Sequence, residues 1–187
     1  MMETYTPPFL RARQGQPNTI QVIEMFDDLP ISWAEFRRRS GRAPNGHVGI
    51  MGELGAMIES LAPDGIRVRV PFQPVIIGDT EWNVVHSGLL MILLDSLCGI
   101  SIIQKMAAPT PIATLDLRVD YLRAVPAGED MYVTANCYKI GRNVGFSRGA
   151  IYTTDPEDPA AIANGSFMLG TAGDPPPMAT MLKGQSA

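Results

Sequence analysis

From Val84 to Ile103 the chain is apolar on nearly every side, yet the run opens with His86-Ser87-Gly88 and carries a single carboxylate, Asp95. A stretch of this length meets the requirement for a membrane-spanning helix. Against that, a charge near the middle of a span costs about 2.5–3.5 kcal/mol, and no Lys/Arg cluster flanks the run on one side. A helix that is apolar all round belongs instead in a protein core. An ionised group held there must be hydrated or paired, or its pKa rises until it neutralises. Asp95 is therefore the residue with the strongest claim to chemistry, the plain alternative being a structural cap or pair.

The bulk numbers narrow the classes. With 187 residues the chain is long enough for one domain with a sizeable core plus extensions. A hydrophobic fraction of 45% and a charged fraction of 18% describe a globular chain. A net charge of −4 argues against a dedicated nucleic-acid binder, which needs a phosphate-neutralising patch. Cys98 and Cys137 are the only cysteines, and the N-terminus does not resemble a signal peptide, so a cytoplasmic location is expected. Two histidines without a CxxC pair leave no zinc pattern, and no metal is expected.

Around the apolar run the texture is that of strands. Val68 and Val70 alternate with Arg67 and Arg69 after the Pro63-Asp64-Gly65 turn, so Leu54–Ala62 and Ile66–Phe72 read as two paired strands. Past the helix, which runs to about Lys105, four more strands are expected. They are Thr114–Tyr121, where Thr114, Asp116, Arg118 and Asp120 alternate with apolar residues, then Met131–Ile140, Val144–Thr153 and Ala160–Leu169. Short turns between them call for antiparallel pairing. The apolar faces must cover something, and the helix, about 30 Å long by its rise per residue, is the available partner. The expected class is α+β, with a curved antiparallel sheet of about six strands wrapped around one long central helix.

The ends read differently. Residues 1–50 form an N-terminal extension with a loose arm over Met1–Asn18 and two short helices, over Ile20–Asp28 and from the Ser32-Trp33-Ala34-Glu35 capping box to Gly41. Arg37, Arg38 and Arg39 fall in that second helix's last turn, where cations suit its dipole. Residues 51–172 hold the sheet and central helix, and residues 173–187 form a Pro-containing tail expected to be disordered.

Two motifs differ in what their contexts allow. Gly145-Phe146-Ser147-Arg148-Gly149 matches G-x-S-x-G, but a nucleophile elbow needs a helix after it and a later histidine. Here a strand continues and no histidine follows His86. His86-Ser87-Gly88 is stronger because of its place. The first turn of a helix offers N–H groups without intrahelical partners, which aimed at a carbonyl make an oxyanion hole. Asp95 lies about 10 Å further along the helix than Gly88, too far for both to serve one bond. Two antiparallel copies of the helix would bring donors and acid together, so a site is expected at a two-fold interface.

Val85-His86-Ser87-Gly88 with Leu93-Leu94-Asp95, then Ala113 to Arg123, resembles the hotdog-fold acyl-CoA thioesterases of the PaaI type, and Gly141-Arg142 with Phe146 resembles their next hairpin. The resemblance covers about Gly52 to Gly170. It implies a hotdog fold, a homodimer or dimer of dimers, and hydrolysis of a small or medium acyl-CoA, aryl-CoA included, without metal or organic cofactor. It also implies roles: Asp95 as general base or nucleophile, the Ser87 backbone N–H as donor to the thioester carbonyl beside His86 and Gly88, and Thr114 as a holder of the water. Arg123 and Arg142 would meet the CoA phosphates. The family's Asn six residues before the histidine is Thr80 here, with Asn83 as the nearby substitute. That departure motivates an alternative, a non-catalytic acyl-CoA-binding hotdog protein. A hotdog hydratase ranks last, since no histidine follows Asp95. Neither nucleic acid nor membrane is an expected partner.

Overall fold

The computed structural model describes residues 29–39, 49–62, 65–106 and 110–171. The expected arm over Met1–Asn18, the expected helix over Ile20–Asp28, the expected turn at Pro63-Asp64 and the expected tail from Gly173 lie outside the described residues. Strand β1 (Ile31–Ser32) leads into helix α1 (Trp33–Arg39). There Ser32 Oγ accepts the Glu35 N–H at 3.2 Å, the bond that the Ser32-x-x-Glu35 spacing calls for. Helix α2 (Gly49–Glu53), β2 (Met57–Ala62) and β3 (Gly65–Val70) follow. A 3₁₀ turn at Pro74–Ile76 precedes the small ribbon of β4 (Ile77–Asp79) and β5 (Val84–Val85). Helix α3 (Ser87–Lys105) comes next, then β6 (Ile112–Tyr121), β7 (Met131–Ile140), β8 (Val144–Tyr152) and β9 (Ala161–Leu169).

One antiparallel sheet of seven strands, in the order β1-β2-β3-β7-β8-β9-β6, carries the long helix. The expected count was about six. The additional strand, β1, pairs Ile31 with Ile58 and Ser32 with Met57, and two residues are too few for alternation to reveal. The β4–β5 ribbon was also not expected, because the turn between its strands interrupts any period.

Helix α3 is the rod of the core. Leu93, Leu94, Leu97, Cys98 and Ile102 are fully buried, as are Val68, Val133, Cys137 and Ile151 of the sheet. Two glycines of β8 let the helix settle this low. A Cβ at Gly149 would stand 3.0 Å from Leu94 Cδ2, and one at Gly145 would stand 2.8 Å from Ile102 Cγ2. Helix α3 is long and apolar enough to cross a membrane by length and composition; here its apolar residues cover a sheet.

The expectation of a helix buried all round is corrected. Met91 and Ile92 are each 44% exposed, and Asp95 and Ser96 are half-buried. The sheet covers one side of the helix and leaves this flank open. Beside it runs β6, an edge strand that pairs with β9 only. Its residues are exposed or half-buried throughout.

The alternation expected along β6 is broken as well. Thr114 pairs with Phe167 but Asp116 pairs with Ser166, so Leu115 is an extra residue in a β-bulge. Leu115 is exposed, and Thr114 shares the helix-facing side with Leu117 and Val119 instead of the outer side with Asp116.

Candidate active site

The helix start is built by close approach. A Cβ at Gly78 would lie 2.5 Å from His86 Cα, so only glycine lets β4 run against the chain entering the helix. The His86 N–H donates to Ile76 O at 3.0 Å, and the Val85 N–H to Val125 O at 2.9 Å. His86 is the N-cap, in an extended conformation, and its Nδ1 accepts the Gly88 N–H at 2.9 Å. That bond leaves the neutral ring's proton on Nε2.

The two candidate donors are thus separated. The Gly88 amide is engaged by His86, whereas among the described residues the Ser87 amide has no acceptor. Ser87 lines a depression of about 390 Å³ with Asp79, Val84, His86, Tyr121 and Arg123. An unspent N–H at the positive end of a helix, facing open space, is suited to an oxygen that gains negative charge.

Asp95 projects from the open flank in the middle of α3. Its Oδ1 accepts the Thr114 hydroxyl at 2.9 Å, which the bulge at Leu115 turns toward the helix. The bond occupies one carboxylate oxygen; among the described residues no donor is bonded to Oδ2. Asp95 and Thr114 line a second depression, of about 200 Å³, with Gly99, Ile100, Ile112 and Phe167. Gly99 and Phe167 had not been expected here; the available signals were the four-residue helical spacing from Asp95 and the pairing of Phe167 with Thr114.

The two depressions share no lining residue. Along the helix Ser87 and Asp95 are separated by about 12 Å of axial rise. One chain therefore presents the donor and the acid at different places.

The remaining expected residues are spread out. Arg123 lines the Ser87 depression, but its Nε pairs with Asp158 Oδ2 at 3.1 Å and its Nη2 donates to Asp158 O at 3.0 Å. Arg142 is exposed in the β7–β8 turn, three residues before Gly145, which packs at Ile102 near the other end of the helix. Asn83 is exposed at positive φ, 52°, and its carbonyl accepts the Ala127 N–H at 2.8 Å. It shapes the turn and lines neither depression. Thr80 is exposed in the same turn, where Asp79 Oδ1 accepts the N–H groups of Glu81 and Trp82.

Behind Asp95 lies a thiol unsuited to attack. Burial pushes Cys98 up to about 11, the nearby Ser147 hydroxyl opposes the rise, and the negative charge of Asp95 adds to it. Ser147 itself is fully buried in β8, as a continuing strand requires of the G-x-S-x-G match. Among the described residues no group of three or more His, Cys, Asp or Glu side chains could hold a metal.

Residues 83–160 match the family model described as thioesterase superfamily. A structure from Pseudomonas aeruginosa is 39% identical, with a TM-score of 0.56, over 62% of this chain and 85% of its own. Two more distant structures share the fold. A thioesterase family protein from Silicibacter pomeroyi is 22% identical, with a TM-score of 0.60, over 72% of this chain and 96% of that one. Zebra fish thioesterase superfamily member 2 is 19% identical, with a TM-score of 0.58, over 67% and 87%. No curated protein matches the chain at a significant level. An antiparallel sheet carrying one long helix is the hotdog architecture that these structures share, and residues 83–160 carry the match to the thioesterase superfamily.

Proposed function

We propose that the protein is a PaaI-type hydrolase of a small or medium acyl-CoA, aryl-CoA included, with each site shared between two subunits. One observation carries this reading: Asp95, held by Thr114, and the unspent Ser87 amide line separate depressions of one chain. An attacking water must lie within about 3 Å of both its base and the polarised carbon. A second copy of the helix, running antiparallel, supplies the missing half to each site.

The surface supports such a pairing. Strand β6 is ten residues long with no partner on its outer side among the described residues. Proline occurs before it, at Pro111, and not within it. An edge of this length is a template for another strand unless it is covered. The apolar Met91 and Ile92 lie on the adjoining open flank of the helix.

In the reaction, the thioester oxygen accepts the Ser87 N–H of one subunit while water sits between the carbonyl carbon and Asp95 of the other. Asp95 takes a proton from the water as the oxygen–carbon bond forms, and the tetrahedral oxyanion is held by the amide. Collapse breaks the carbon–sulfur bond. The sulfur leaves with the proton returned by Asp95, giving a carboxylic acid and the CoA thiol. Direct attack by the Asp95 carboxylate, with water opening the resulting anhydride, uses the same groups. His86 caps the helix, and Thr114 orients the base. Arg123 meets the CoA phosphates by trading part of its ion pair with Asp158, and Arg142 does so from the hairpin. No metal or organic cofactor takes part. The working form is a cytoplasmic homodimer or dimer of dimers.

The alternative, a non-catalytic acyl-CoA-binding protein, is favoured by Asn83 lining neither depression while Thr80 holds the family's Asn position. Thiol release from acyl-CoA separates the two. The hydrolase reading expects release by the wild type and its loss in a folded Asp95→Asn variant. Wild-type rates in that variant, or tight CoA-ester binding without release over hours, would overturn it.

A further inference from the structure

Resting on the hydrolase reading, we infer that the depression beyond Asp95 is the acyl pocket, and that Gly99 and Ile103 set the size of an uncharged hydrocarbon acyl group. Asp95, Gly99 and Ile103 follow one another at four-residue spacing, so a single stripe of α3 forms one wall. Ile112 of β6 and Phe167 of β9 form the facing wall. The Asp95–Thr114 pair stands at one end of that stripe, so a thioester held there directs its acyl chain toward Ile103.

The lining chemistry restricts the occupant. Apart from Asp95 and Thr114, Ser96 is the only polar residue, and no Lys, Arg or His lines the pocket among the described residues. An acyl group ending in a carboxylate finds no cation there and meets the charge of Asp95, so it is rejected. The volume is about 200 Å³, against about 150 Å³ for an apolar cavity that takes benzene. The space is on the scale of a phenylacetyl or hexanoyl group.

Gly99 fixes the depth. A Cβ at this position would stand 3.2 Å from Ile112 Cδ1 and 3.5 Å from Phe167 Cε1, intruding between the two walls. Ile103, half-buried at the far end of the stripe, closes the pocket lengthwise. Neither residue belongs to the donor or the base, so changing them should alter which acyl group is accepted and leave the chemistry in place.

The test measures kcat/KM for acetyl-, hexanoyl-, phenylacetyl-, decanoyl-, palmitoyl- and succinyl-CoA with the wild type, Gly99→Ala and Ile103→Ala. The same proteins are titrated with non-hydrolysable S-alkyl-CoA thioethers of matching lengths. The wild type should favour hexanoyl and phenylacetyl esters. Ile103→Ala should raise decanoyl over hexanoyl by about tenfold, and Gly99→Ala should lower phenylacetyl relative to acetyl by a similar factor, the scale on which apolar pockets discriminate. A wild type that favours succinyl or palmitoyl esters, or variants that slow every ester equally, would overturn the pocket assignment while the hydrolase reading stands. If the wild type releases thiol from no ester, the hydrolase reading fails. The thioether ranking and its shift in Ile103→Ala then decide the pocket alone.

Discussion

The Thr114 hydroxyl donates to Asp95 Oδ1 at 2.9 Å, joining the edge strand of the sheet to the middle of the central helix. The bond fixes the rotamer of the carboxylate and leaves its other oxygen for water. Thr114→Val should therefore lower kcat by roughly tenfold, a fraction of the 10²–10⁴-fold that a positioned general base contributes, with KM little changed. Thr114→Ser should retain most of the activity. Steady-state thiol release measures both, and equal losses in the two variants would contradict the positioning role.

Sharing of the site between subunits can be tested by complementation. Ser87 is the first helical residue, and its amide has no intrahelical partner, so proline is tolerated there. His86 before it, at φ −63° and ψ 121°, already has the conformation that a following proline demands. Ser87→Pro should delete the donor and leave the helix intact. Alone, Ser87→Pro and Asp95→Asn should both be inactive. Mixed in equal amounts and allowed to exchange, they should recover about a quarter of wild-type activity, since half the dimers carry one intact site of two. No recovery, with heterodimers demonstrated, would place donor and acid in the same chain.

Cys98 should resist thiol reagents in the folded protein at pH 8, because its thiol is buried and its pKa is pushed up to about 11. The sign for stability follows from the same shift. Above its ordinary value of 9.0 the unfolded thiol ionises while the folded one does not, so stability falls as pH rises from about 9 to 11. Cys98→Ala should flatten that alkaline slope in denaturant titrations, whatever it costs in packing.

At the acid end Asp130 is the group to watch. Its Oδ1 accepts the Phe72 N–H at 2.9 Å, which lowers its pKa most, and Arg69 pairs with Oδ2 and lowers it further. Its contribution is fully present above the ordinary value of 3.8 and is lost as pH falls through the lowered folded value. Asp130→Asn should reduce stability at neutral pH and shrink the gap to wild type in strong acid. A constant gap at every pH would show that packing, not charge, is at issue.

Gln104 is only 4% exposed, and among the described residues neither polar atom of its carboxamide has a hydrogen-bond partner. Such a group costs about 1–3 kcal/mol of desolvation. Gln104→Met, similar in volume and compatible with a helix, should therefore raise the thermal midpoint. A lower midpoint would mean that the carboxamide finds a partner in solution.

The helix, its start, its acid and the three strands after β6 were legible because a period of two and strong turn signals mark them. The facing of Thr114 was not. Unbroken alternation puts it with Asp116, and only pairing with β9 exposes Leu115 as surplus. Nor does one chain's pattern disclose that α3 keeps an open flank, since hydrophobicity records what prefers burial and not what does the burying. Arg123 looked free for phosphates, but Asp158, brought close by the β8–β9 turn, holds it. Asn83 offered a side chain in sequence, whereas the turn uses its left-handed backbone. The assigned roles of Asp95 and Ser87 rest on resemblance and geometry together.

Leu115 reaches nothing that reacts, yet it acts as a phase shifter. Excising it would mend the hydrogen-bonded ladder while leaving Thr114 opposite Phe167, so the neighbouring hydroxyl would keep its aim at the helix. A one-residue deletion at this spot therefore asks whether the register alone, without its surplus member, is enough to hold the carboxylate in place.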